Sequence, residues 1–205
     1  MTLGHEMKKI YLAMEQICLE TADLITVVND QFQNGGFEAP RGTSVMYDTS
    51  TSYHAPKKWL PYFQQRVFSK QGATKQRGIG INILFHWEAY GNQVPVISCG
   101  LLLARNERGV VNSDEFFMAG WEHSARDAQH PVFYVMNCSD DNYFQKIINY
   151  FIPLDRITDE AAVRQLILDP LLALYDDKFD TAADLIAGEA KTIEELRATP
   201  IFSAP

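Results

Sequence analysis

The sequence predicts an α+β fold, with an antiparallel or mixed sheet centred on a long β-hairpin at 78–105. A long N-terminal helix covers the sheet, and a helical C-terminal region follows it. Three observations predict this arrangement. Residues 79–89 alternate Ile79, Ile81, Ile83, Phe85, Trp87, Ala89 without a break, the period of a strand. Residues 6–33 carry apolar side chains at helical spacing, and beyond Pro153 the chain reads as helical up to an extended ending at Pro200–Pro205.

The first helix has its apolar positions at Met7, Ile10, Met14, Ile17, Leu24 and Val28, with Thr21 in the remaining slot. Steps of three and four residues alternate, as in the seam of paired helices. Tyr11, Cys18 and Ile25 widen the stripe. The spacing suits either a partner-binding helix or one packed on its own sheet, and the width favours packing on the sheet. Asn34-Gly35-Gly36 offers positive-φ residues where the helix should stop.

A short strand is expected at Ser44–Tyr47, then a hydroxyl-rich loop from Asp48 to His54, then a helix from about Lys57 to Ser69 with Trp59, Leu60, Phe63, Val67 and Phe68 on its apolar side. In the hairpin, a two-residue turn at Gly91-Asn92 would set Leu84 opposite Cys99 and Phe85 opposite Ser98. Both faces are then partly apolar, which places the hairpin centrally, covered on both sides. Asn112 to Glu115 has the pattern of a capping box opening a helix to about Arg126. A strand is expected over Val132–Met136. Ser139-Asp140-Asp141 opens an expected helix to Phe151 through Phe144, Ile147, Ile148 and Phe151, with a strand as the rival reading of 143–152.

In the tail, Thr158 is the expected cap of a helix through Ala162 and Leu166, and Asp169-Pro170 restarts it into Leu171–Tyr175. Further helices are expected at Thr181–Ile186 and after Thr192, where Thr192 and Glu195 have capping-box spacing. The expected division is an α+β core at 1–155 and a helical extension at 156–205 packed on it.

Composition limits the function classes. The chain has 205 residues, 46% hydrophobic and 21% charged, with a net charge of −8, values of an ordinary globular protein. Its three cysteines form no CxxC pair, so zinc-ribbon spacing is missing. No secretory signal or run of about 18 apolar residues is evident, and a cytoplasmic, reducing setting is expected. Residues 140–205 hold 6 basic and 13 acidic side chains, whereas no acid lies between Asp48 and Glu88. A basic segment thus precedes an acidic tail.

No phosphate-loop, nucleophile-elbow, zinc-protease or EF-hand motif occurs, and no cofactor or metal is called for. Three weaker constellations remain. His86 and Glu88 share one face of a strand, with Glu122, His123 and His130 as further contributors to a metal or proton-transfer site. Cys138, between a strand and an expected helix N-terminus, has His130 as a candidate base. His54, Lys57, Lys58, Arg66 and Arg77 could converge on an anion or an acidic partner face, with Tyr53 and Trp59 available for stacking. The negative overall charge disfavours a dedicated nucleic-acid binder.

The expected function is therefore a binding or regulatory protein acting through a protein or other anionic partner, or as a homodimer. A small-molecule hydrolase or transferase around Cys138/His130 or His86/Glu88 is the alternative.

Overall fold

The computed structural model describes residues 3–40, 42, 63–72, 76–85, 94–106, 124–138 and 144–198. It is an α+β fold. Helix α1 (Leu3–Asn34) is followed by β1 (Phe37–Glu38), β2 (Phe63–Lys70), β3 (Arg77–Leu84), β4 (Val96–Ala104), β5 (Ala125–Arg126), β6 (Tyr134–Asn137) and β7 (Phe144–Pro153). Then come α2 (Glu160–Val163), a π-helical turn (Arg164–Leu168), α3 (Asp169–Tyr175), α4 (Phe179–Leu185) and α5 (Ile193–Ala198). The strands form one antiparallel sheet in the order β1-β2-β3-β4-β7-β6-β5.

The β3–β4 hairpin lies in the middle of that sheet and is buried on both faces. Its register differs from the expected one. Leu84 pairs with Val96 rather than Cys99, a shift of three residues, and this is the last pair of the ladder among the described residues. A two-residue loop at Gly91-Asn92 does not fit this register, and residues 86–93 lie outside the described residues.

Two segments read as helices are strands. Phe63–Ser69 belongs to β2 and Phe144–Pro153 is β7. Both are covered on two faces, so their apolar residues do not alternate and the strand period is hidden. Ala125-Arg126, the expected end of a helix, forms β5 instead. Pro131 and Val132 form a turn, and β6 begins at Tyr134. The strand at Ser44–Tyr47, the loop to His54 and the helix starts at 57 and 112 fall outside the described residues.

One sheet face carries Phe68, Ile79, Ile81, Ile83, Ile97, Cys99, Leu101, Ile148 and Tyr150. The C-terminal half of α1 packs there through Ile25, Val28 and Phe32, together with Leu166, Ile167, Leu171 and Leu174. Phe32 anchors the helix against Phe37 and Phe68, with ring centroids 5.7 and 4.7 Å away. Gly36, at φ 80°, turns the chain out of α1 into β1, a conformation open to glycine at no steric cost.

The tail is helical as expected, with its first cap moved by one residue. Asp159, not Thr158, accepts from the Ala162 amide at 2.8 Å. The Thr192–Glu195 capping box is present: Glu195 N donates to Thr192 Oγ1 (3.1 Å), and Thr192 N donates to Glu195 Oε2 (2.7 Å).

Candidate interaction surface

The apolar stripe of α1 changes environment along its length. Thr21, Ile25, Val28 and Phe32 are buried on the sheet. About three to four turns earlier the same stripe is open: Met7 is 62% exposed, Ile10 61% and Tyr11 67%. Leu12 and Leu19, on the opposite side of the helix at 100° per residue, are exposed as well. With apolar side chains exposed on both sides, this half of the helix projects beyond the sheet and helices among the described residues. From Gly4 to Glu20 the projection is about 25 Å long.

At the base of the projection lies a groove of about 600 Å³. Its floor is apolar, formed by Ile17, Leu24 and Val27 of α1 with Phe85, Pro95, Leu154, Ile157 and Val163. Glu20, Asp23, Asp159 and Glu160 also line it, so its charged groups are acidic. Gln31 Nε2 donates to Glu160 Oε1 at 2.7 Å and ties α1 to α2 beside the groove. Ile17 belongs both to the exposed stripe and to the groove, so the two surfaces are continuous.

Of the expected anion-binding residues, His54, Lys57 and Lys58 lie outside the described residues. Arg66 is buried, and its guanidinium donates to Asn29 Oδ1 at 2.7 Å and to the Gly42 carbonyl. Arg77 donates to Asp177 Oδ1 at 2.6 Å and to the Leu174 carbonyl at 3.1 Å, with its charge over the Tyr175 ring. Both arginines lie on the helix-covered face of the sheet and fasten helices to it.

His86, Glu88, Glu122 and His123 lie outside the described residues. Among the described residues no three His, Cys, Asp or Glu side chains gather as a metal site. His130 and Cys138 are not brought together. They flank opposite ends of β6, and the extended run from Phe133 to Cys138 alone measures about 16 Å. Cys138 packs beside Met136 and Phe144, and β7 rather than a helix follows it among the described residues. Its proposed activation by a helix N-terminus therefore has no support there.

His130 instead joins two carboxylates. Its Nε2 lies 2.8 Å from Asp180 Oδ1 and its Nδ1 3.4 Å from Asp127 Oδ1. The hydrogen bond to Asp180 raises the imidazole above its ordinary value, and the charges of both aspartates add to this. Asp127 also accepts the amides of Gln129 and His130, which shapes the loop between β5 and β6.

The sheet face away from α1 holds a buried polar band. In register across it stand Gln65, Asn82 and Ser98, and in the next row Gly80, Gly100 and Asn149. Asn149 Nδ2 donates to Ser98 Oγ at 2.9 Å. Asn82 is fully buried, and neither atom of its amide has a hydrogen-bond partner among the described residues. Apolar clusters flank the band, one with Phe63, Leu84, Val96, Ile193 and Leu196, the other with Val67, Leu102 and Ile147.

No protein-family model, curated protein or solved structure matches this chain. Sequence reasoning found the α1 stripe but missed the groove, which is assembled from four separate stretches of chain. The acidic run Asp159-Glu160 was the one local signal for it.

Among the described residues no helix is long and apolar enough to cross a membrane.

Proposed function

We propose that the chain is a protein-binding protein whose docking element is the projecting half of α1 together with the groove at its base. The observation that carries the reading is the change in one continuous stripe, from buried at Val28 (1%) and Phe32 (0%) to open at Ile10 (61%). A helix stabilised by tertiary packing buries its apolar face. Contiguous exposed apolar surface on a polar-rimmed element marks an interaction site.

The geometry suits helix-in-groove recognition, in which an amphipathic helix offers anchors at i, i+3 and i+7. Its acidic groups favour a partner with basic flanks and disfavour nucleic-acid backbone.

A photo-crosslinking residue at position 10 tests this, compared with one at exposed Gln165, in cells producing the full chain. A defined crosslinked species at position 10 that disappears with Met7→Glu supports the reading. Equal crosslinking at both positions, or none at position 10, overturns it.

A further inference from the structure

We infer that the helix docking on the projecting half of α1 is α1 of a second copy of the chain, running antiparallel, so that the two stripes pair with each other and the amino-terminal turn of each copy reaches the groove of the other. The inference rests on the docking reading above and names its occupant.

Spacing comes first. Met7, Ile10, Met14 and Ile17 alternate steps of three and four residues, the repeat that keeps a seam facing one similar helix along its length. About a two-fold axis crossing the seam at the level of residue 12, Met7 falls opposite Ile17 of the second copy and Ile10 opposite Met14. Every layer then pairs a methionine with an isoleucine, and no layer sets two β-branched side chains against each other.

Charge separates antiparallel from parallel. The amino-terminal end of the projection bears Lys8 and Lys9 against a single acid, Glu6, which pairs with Lys9 at 3.6 Å. The N-terminal end of the helix adds about half a positive charge. The base bears Glu20, Asp23, Asp159 and Glu160. An antiparallel pair lays the cationic end of each copy against the acidic base of the other, whereas a parallel pair sets like against like.

Shape agrees with both. The groove begins where the exposed stripe ends, at Ile17. A 25 Å projection, by the same estimate of about 1.5 Å per residue, carries the amino-terminal turn of one copy to the base of the other. The contact is isologous and closes on itself, so it ends at a dimer.

The test uses the full chain. Light scattering over a wide concentration range gives twice the chain mass. Ile10→Glu returns the single-chain mass, raising the dissociation constant at least about 100-fold. The variant keeps a cooperative unfolding transition, because residue 10 is already exposed in one copy. Orientation is read in a Cys18→Ser background by mixing Met7→Cys and Ile17→Cys chains under oxidation.

A disulfide joining position 7 to position 17 is expected, and efficient joining of 17 to 17 in its place overturns the antiparallel arrangement. A dimer that persists in Ile10→Glu overturns the assigned surface. If the chain stays monomeric while position 10 crosslinks a different protein, the second-copy inference falls and the docking reading stands. If it stays monomeric and position 10 crosslinks nothing, both fall.

Discussion

The Tyr150 hydroxyl donates to the Leu166 carbonyl at 2.9 Å, the acceptor that an α-helix would pair with the amide of residue 170. Residue 170 is proline, which has no N–H and whose ring crowds the carbonyl four residues earlier. The helix widens there into the π turn Arg164–Leu168, with Asp169 N donating to Arg164 O. A side chain from β7 thus supplies the missing donor, and strand and helix are joined where the helix is weakest. Burial pushes the phenol well above its usual range, and it does the same to the neighbouring Cys99 thiol.

Tyr150→Phe keeps the ring and leaves a buried carbonyl without this donor. The expected loss is about 1–3 kcal/mol, measured by urea unfolding. Pro170→Ala restores a backbone donor, so the loss shrinks in that background and a double-mutant cycle shows coupling. Additive effects would break the link between the two residues.

The His130 cluster makes stability depend on pH with a definite sign. Folding raises the imidazole above the ordinary value of 6.5, chiefly through its bond to Asp180. The contribution is therefore complete below about pH 6.5 and declines as pH rises through the raised value. Asp180 is almost fully exposed, so salt weakens the effect. Thermal unfolding between pH 5 and 9 should show the decline, and Asp180→Asn should flatten it.

Asn82 gives a prediction of opposite sign to most core substitutions. Removing a buried amide that makes no hydrogen bond among the described residues relieves its desolvation cost, so Asn82→Val should raise stability by about 1 kcal/mol. Asn149→Val breaks the bond to Ser98 and should lower it by about 1–2 kcal/mol. Chemical denaturation of the two variants decides. A strongly destabilised Asn82→Val would mean that the polar band holds a partner of its own.

Helix α5 is short, and its N-terminus is held by the capping box and by Tyr134, whose hydroxyl accepts from Ile193 N at 2.9 Å. Thr192→Ala should cost about 1 kcal/mol. Ile193 and Leu196 seal one end of the polar face, so the loss should appear locally as faster amide exchange in β2 and β3 near Phe63 and Leu84. Uniform loss of protection across the sheet would contradict this.

Much of the fold was legible where one face of an element meets water. The half-exposed α1 and the capped tail helices show clean periods. The hairpin was legible because β3 alternates, but its register was not. Gly91-Asn92 marks a turn in the sequence, whereas the described pairs set Leu84 opposite Val96, three residues away from the register of a two-residue turn there, and nothing local encodes that shift. β2 and β7 were misread because apolar side chains on both faces erase the period of two.

The polar band was invisible because it exists only in register, with Gln65, Asn82, Ser98 and Asn149 drawn from four strands. Arg66 and Arg77 looked like surface cations from sequence. Their partners, Asn29 and Asp177, are 37 and 100 residues away.

The Gln31–Glu160 bond spans 129 residues, and the Ile25–Phe32 face of α1 rests partly on side chains of 163–174. On a ribosome making about 5–20 residues per second, α1 waits about 6–26 s for that cover to be synthesised. Its whole stripe, including the half later buried on the sheet, stands open for that interval. Neighbouring nascent chains on one message would present the same stripe to each other, so the protein is most vulnerable to aggregation, and most exposed to chaperones, before its last third has been made.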